Sequence, residues 1–215
     1  METLPRRLAE SCSIQFGVME IDVAARPLVI TAPAHHAARI LEPILPEASR
    51  LLKQIDYAPM VIATTSLPDS AFPQPLRGFG FLVPRSEKLH ILGTLFSSAL
   101  FPGRAPAGRQ LLTSFIGGAL EREAIDWPDE RVWEIVQSEL QIVLKTSTPP
   151  ERVQLKRRIH AIPQYKIGHE RLMTSLKKEL SSAPGLFLTG NYMEGVSVAS
   201  CMESGERTAR AVAGM

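Results

Sequence analysis

Cysteine is nearly missing from this sequence: Cys12 and Cys201 are the only two in 215 residues. That is too few for a disulfide framework, and they show no metal-ligand spacing. A reduced, cytoplasmic setting is the default that follows. An excess of charge of one sign is missing too. With 24 basic against 22 acidic side chains the formal charge is +2, which gives no field that argues for nucleic acid. No apolar run approaches the roughly 20 residues that span a bilayer, and METLPRRLAE at the start lacks the apolar segment of a signal peptide. There is no Gly-x-Ser-x-Gly elbow and no Walker-type loop, and His35, His36, His90, His160 and His169 contain neither an i, i+4 pair nor a His-x-His unit. Hydrolase and metal chemistry therefore drop out of the leading readings, with no catalytic side chain and no metal ligand assigned. Gly78-Phe79-Gly80 lacks the third glycine of a dinucleotide fingerprint and lies between apolar runs rather than before a helix.

What remains is a chain with 45% hydrophobic residues, enough for one sizeable core or two small ones. After a short helical opening, residues 13–21 read as extended and PLVITAP as a buried strand between prolines. Residues 34–41 and 47–55 read as helices. From Tyr57 the texture changes to four β-rich runs, YAPMVIATT, GFGFLVP, LHILGTLF and QLLTSFIGG. Their spacing favours an antiparallel or mixed sheet over βαβ units. A helix is predicted from Pro128, with Asp129 and Glu130 in its first turn and Val132, Ile135, Val136, Leu140, Val143 and Leu144 on one face. Residues 151–159 read as a strand, 168–180 as a helix, and GLFLTG as a short strand feeding a last helix. Lys156, Arg157 and Arg158 in QLKRRIH are read as a solvated face.

The last helix poses a question. Helix N-termini carry orphan N–H groups and partial positive charge, so acidic residues usually gather there. Here the helix is predicted to start at Gly195 with Val196, Ser197, Val198 and Ala199 in its first turn and no acid among them. The positive end is left for an anion from elsewhere. An apolar stripe of Val198, Met202, Gly205, Ala209 and Val212 is predicted to pack, with Gly205 and Ala209 allowing close approach. A second feature is aromatic crowding: Phe72, Phe79, Phe81, Phe96, Phe101 and Phe115 all fall in the β-rich middle. They make either a core or the wall of a large, flat, apolar ligand site.

GLFLTGNYMEGVSVASCMESGERTARAV resembles the C-terminal flavin-binding signature of the protoporphyrinogen oxidase family, within the wider amine oxidase-like flavoproteins. METLPRRLAE, LVITAPAHHAARIL, YAPMVIATT, GFGFLVPRSE, ILGTLFSSALFPGRAPAGR, SFIGG and AIPQYKIGH follow in the family's order, so the resemblance covers almost the whole chain. It implies a mixed α/β fold, the C-terminal part of a two-lobed FAD-dependent oxidase, with an incomplete Rossmann-like FAD lobe and a substrate lobe on a mixed β-sheet. Residues 1–45 would belong to the FAD lobe, 46–160 to the substrate lobe and 161–215 to the C-terminal FAD-binding segment. The last helix would aim its N-terminus at the pyrimidine end of the flavin, where charge accumulates on reduction. Backbone N–H groups around Gly195 to Val198 would stabilise that anion. By resemblance Gly195, Val196, Ser197 and Val198 contact the flavin, and Val18 makes an adenine-side backbone contact. Phe79, Leu82, Phe101 and Phe115 align with positions lining the family's tetrapyrrole cavity. The implied reaction is oxidation of a porphyrinogen, protoporphyrinogen IX or coproporphyrinogen III, in heme biosynthesis, by hydride transfer to flavin N5. Dioxygen would then reoxidise the flavin with release of peroxide.

The departures from the family shape the expectation as much as the agreements. The sequence has no three-glycine fingerprint to hold the FAD pyrophosphate, nor the arginine that family members use on a substrate propionate. The interval between Ile21 and Leu28 is abbreviated, and Arg158 stands where relatives commonly have Trp. The chain is therefore expected to be the C-terminal portion of such an enzyme, binding FAD tightly only with a separate N-terminal half, and peripheral membrane contact is left open. A non-catalytic tetrapyrrole carrier and a flavin amine oxidase are the alternatives.

Overall fold

A computed structural model describes residues 3–17, 22, 24 and 26–214. The chain divides into two compact units, one formed by residues 1–54 with 168–215 and the other by residues 55–167. The sequence expectation put its boundaries at 45/46 and 160/161; the units divide at 54/55 and 167/168. The helix over residues 46–52 packs on the helix before it, and the strand through QLKRRIH runs on to Pro163.

In the first unit, helix α1 (Thr3–Ala9) is followed by exposed chain. Ser13–Gly17 are exposed and form no strand, pairing with no neighbour among the described residues, which corrects the strand expected there. Strand β1 (Leu28–Ile30) leads into α2 (Ala34–Leu41) and α3 (Pro46–Leu52). In α2, Ala34, Ala37, Ala38 and Leu41 are all buried, an i, i+3, i+4, i+7 face. Helix α6 (His169–Leu180) buries Met173 and Leu176 and packs against α3. Strand β7 (Leu186–Leu188) pairs in parallel with β1, Leu28 opposite Leu186 and Ile30 opposite Leu188. Helix α7 (Val198–Ala213) closes the unit.

The second unit is a five-stranded sheet in the order β3-β4-β5-β2-β6, every pair antiparallel. Its strands are β2 (Tyr57–Pro68), β3 (Gly80–Leu82), β4 (Ile91–Phe96), β5 (Arg109–Gly117) and β6 (Glu151–Pro163). A short helix α4 (Ser97–Leu100) follows β4, and α5 (Asp129–Leu144) covers one face. Val61, Ala63, Leu67, Leu112 and Ile116 from that face meet Val132, Val136 and Leu140 of α5 in one core. The alternation of strand side chains sends their neighbours to the opposite face, which α5 does not cover.

Two polar features pin this unit. Glu139, buried on α5, accepts the backbone N–H groups of His90 (2.9 Å) and Ile91 (2.8 Å), anchoring the start of β4. At the other end Asp56 accepts from Lys166 (2.9 Å) and Arg122 (3.1 Å). The Lys166 ammonium, with Arg122 behind it, holds the Asp56 carboxyl below its ordinary range. A depressed folded-state pKa contributes stability above the unfolded value, lost as pH falls through the folded one. The Asp56→Asn variant should therefore melt below the parent at pH 6. That gap should close as the pH is lowered from about 5 towards 2, as thermal melts at stepped pH would record.

Candidate functional site

In the first unit the functional candidates gather at the start of α7. The helix begins at Val198 with Ser197 as N-cap, three residues beyond the predicted start at Gly195. Ser197 stops the chain from being helical earlier: its Oγ accepts the Ser200 N–H at 3.0 Å, which requires extended backbone at the cap. No acidic residue stands in the first turn. The N–H groups of Val198 and Ala199, at the positive end of the helix, have no acceptor among the described residues. Gly195 lies directly against this turn, where a Cβ would meet Ser200 Cβ and Oγ at 2.6 Å.

The carboxylate just ahead of this turn in the sequence is turned to other work. Glu194 binds Lys177 at 3.1 Å and also Arg207, about two and a half turns along α7. The Lys177 ammonium, joined by Arg207, holds the Glu194 carboxyl below its ordinary range.

The stripe expected to pack against the protein is open instead. Val198 and Met202 are exposed, and a Cβ on Gly205 would meet nothing within 4 Å. The packed side of α7 centres on Ser204, whose Oγ bonds Thr189 Oγ1 (2.9 Å) at the end of β7. A buried hydroxyl pair does the anchoring that the sequence pattern assigned to apolar residues. The open stripe lines a cleft of about 560 Å³ with Leu4, Pro5 and Leu8 of α1 and with Asn191, Val196 and Cys201. Val18, the expected adenine-side contact, lies outside the described residues.

In the second unit the expected substrate residues divide by position. Phe79 and Leu82, 76% and 86% exposed, flank Gly80 and share a small cleft of about 260 Å³ with Phe81 and Leu95. Gly80 is required there, since a Cβ at its φ of +139° would stand 1.9 Å from the Thr94 carbonyl oxygen. Phe115 sits in the middle of β5 on the uncovered face, opposite Ile62 on one side and Gly93 on the other. Gly93 in turn faces Leu82. Phe101 lies outside that row, on the turn after α4, with the Arg104 guanidinium 4.3 Å from its ring centroid. The remaining phenylalanines serve the core: Phe96 is buried, Phe81 meets it edge-on at 6.1 Å, and Phe72 packs beside them.

Three residues of the uncovered face, Ile62, Leu95 and Lys156, were not singled out for binding from the sequence. The alternation Leu111, Thr113, Phe115 in QLLTSFIGG marks the face, but only the pairing register says which residues of other strands join it. Among the described residues no three His, Cys, Asp or Glu side chains converge on a metal position, and no helix is long and apolar enough to cross a membrane.

Comparison with known proteins bears on both regions. Residues 3–213 match the model of the flavin containing amine oxidoreductase family. Protoporphyrinogen oxidase 1, chloroplastic, of Arabidopsis thaliana is 34% identical over 199 residues, a match covering 88% of this chain and 37% of the relative. Coproporphyrinogen III oxidase of Bacillus subtilis is 28% identical over 187 residues, covering 86% of this chain and 39% of the relative. The crystal structure of a candidate protoporphyrinogen oxidase from Exiguobacterium sp. 255-15 superposes with a TM-score of 0.69 at 23% identity, over 86% of this chain and 40% of that one. The chain thus spans under two fifths of the length of the curated relatives it matches.

Proposed function

The chain belongs to the family of flavin-containing amine oxidoreductases, and from that premise we propose that it contributes a flavin-ring seat and a tetrapyrrole-binding sheet to an enzyme that oxidises a porphyrinogen. The carrying observation is the start of α7. It offers two N–H groups without an acceptor among the described residues and no acid in its first turn, next to an apolar cleft with room for a fused ring. This arrangement fits the electron-rich edge of a reduced flavin, which gains negative charge without needing a side-chain partner. Gly195, Val196, Ser197 and Val198 would hold it. A bound flavin would supply the hydride-accepting chemistry.

The chain's own residues do the rest. The Ser197 cap fixes the direction of the first-turn N–H groups, and the Glu194 ion pairs keep a carboxylate away from them. On the sheet, Leu82, Leu95 and Phe115 present an apolar floor on which a flat macrocycle would be oriented by stacking and by exclusion of water. No acid or base is required of these side chains, since hydride transfer depends on alignment. The names of the relatives in Arabidopsis and Bacillus support a porphyrinogen as the substrate class.

The test supplies the 215-residue chain with the segment of the Bacillus subtilis relative that lies outside the match. The assembled pair should acquire flavin absorbance and convert a porphyrinogen to fluorescent porphyrin with release of peroxide. A pair that takes up flavin and oxidises porphyrinogen no faster than air would overturn the reading. So would polyamine turnover in its place.

A further inference from the structure

The register of the sheet sets five residues in one line across its uncovered face: Leu82 of β3, Gly93 of β4, Phe115 of β5, Ile62 of β2 and Lys156 of β6, each opposite the next. Directly opposed residues of antiparallel strands project to the same side. The line is apolar from Leu82 to Ile62 and ends on a cation. With strands about 4.8 Å apart, Lys156 lies roughly 10 Å from Phe115 and 19 Å from Leu82 along the sheet. Arg158, two residues on, shares the face with Lys156 at about 6.8 Å along the strand. Arg157 between them points the other way and is consumed by the Ile125 and Trp127 carbonyls and by Asp129.

Both outer cations lack a carboxylate partner among the described residues. Arg158 donates only to the Arg157 carbonyl, and Lys156 is exposed without an ion pair. The carboxylate at the far end of β6, Glu151, is already held by Arg109 at 2.6 Å. An apolar floor that ends in two free, adjacent cations complements a ligand that is flat and apolar across its body and carries carboxylates along one edge. A tetrapyrrole with neighbouring propionates has that distribution.

Resting on the porphyrinogen reading, we propose that Lys156 and Arg158 are specificity-determining residues that receive the propionate edge of the tetrapyrrole at the β6 end of the sheet. The rings then lie toward Phe115 and Leu82. The cations set the ligand's orientation and its preference for free acids.

Quenching of Trp127 and Trp133 fluorescence in the 215-residue chain measures binding of protoporphyrin IX, coproporphyrin III and protoporphyrin IX dimethyl ester in one mild detergent. Lys156→Met and Arg158→Met should each weaken the two free acids roughly fivefold, as expected of exposed charge pairs, and leave the ester unchanged. Lys156→Arg should restore acid binding. Equal losses for acids and ester, or no loss for either, would overturn the assignment while the porphyrinogen reading stands. Failure of all three porphyrins to bind the parent chain would overturn that reading and this inference with it. Both side chains are exposed and neither has a carboxylate partner among the described residues, so the variants should keep the parent's circular dichroism and melting profile.

Discussion

Glu139→Leu is expected to lower the melting temperature of the sheet unit by roughly 10 °C or more. The Glu139 carboxylate is buried and accepts two backbone N–H groups, those of His90 and Ile91. Leucine fills the space but takes the acceptor from both donors, the buried Ile91 N–H and the part-buried His90 N–H. Each orphaned donor costs about 1–3 kcal/mol, and in a unit of this size 1 kcal/mol moves the midpoint by about 4–8 °C. Glu139→Gln keeps one acceptor oxygen and should fall between the two. Because β4 carries Gly93 and Leu95, the same substitution should loosen the uncovered face, and porphyrin binding should weaken with it. Thermal melts read by near-ultraviolet circular dichroism, which follows Trp127 and Trp133 beside this core, would measure the loss.

Phe115→Asp should weaken porphyrin binding by roughly 10- to 100-fold while the fold survives. The ring stands at the centre of the uncovered face, half-buried and flanked by Ile62 and by the side-chain-free Gly93. Losing an aromatic contact of this kind costs about 1.5–3 kcal/mol, and each 1.4 kcal/mol is tenfold in affinity. A carboxylate in its place also repels an anionic ligand. Phe115→Leu should recover most of the affinity. Phe96→Ala provides the contrast: Phe96 belongs to the core, so truncation there should destabilise the unit instead of selectively changing binding. Should Phe115→Asp bind porphyrin as tightly as the parent, the uncovered face is not the binding surface.

These two residues illustrate what could be read from the sequence and what could not. The runs that became β2 to β5 were legible because apolar, β-rich segments alternate with Pro and Gly. The acid-free helix start was legible because it is a local property of four residues. Glu139 looked like an ordinary wet position on an amphipathic helix, since nothing local says that the unpaired start of β4 needs an acceptor there. The stripe on α7 was misread for a related reason. Val198, Met202 and Gly205 have helical spacing, but the buried side of α7 centres on Ser204, bonded to Thr189. Periodicity marks an apolar face without saying whether the protein itself covers it. Lys156 was seen only as one member of a charge run. Its place at the end of an apolar line depends on pairing between residues nearly a hundred positions apart.

The first turn of α7 as the seat of the flavin's electron-rich edge is most directly tested by amide NMR of the ¹⁵N-labelled chain titrated with flavin, oxidised and then reduced. The N–H signals of Val196 to Ala199 should move on titration and move further on reduction, while those at the far end of α7 stay in place. Signals of that turn that remain fixed at saturating reduced flavin, with shifts clustered elsewhere or nowhere, would contradict it.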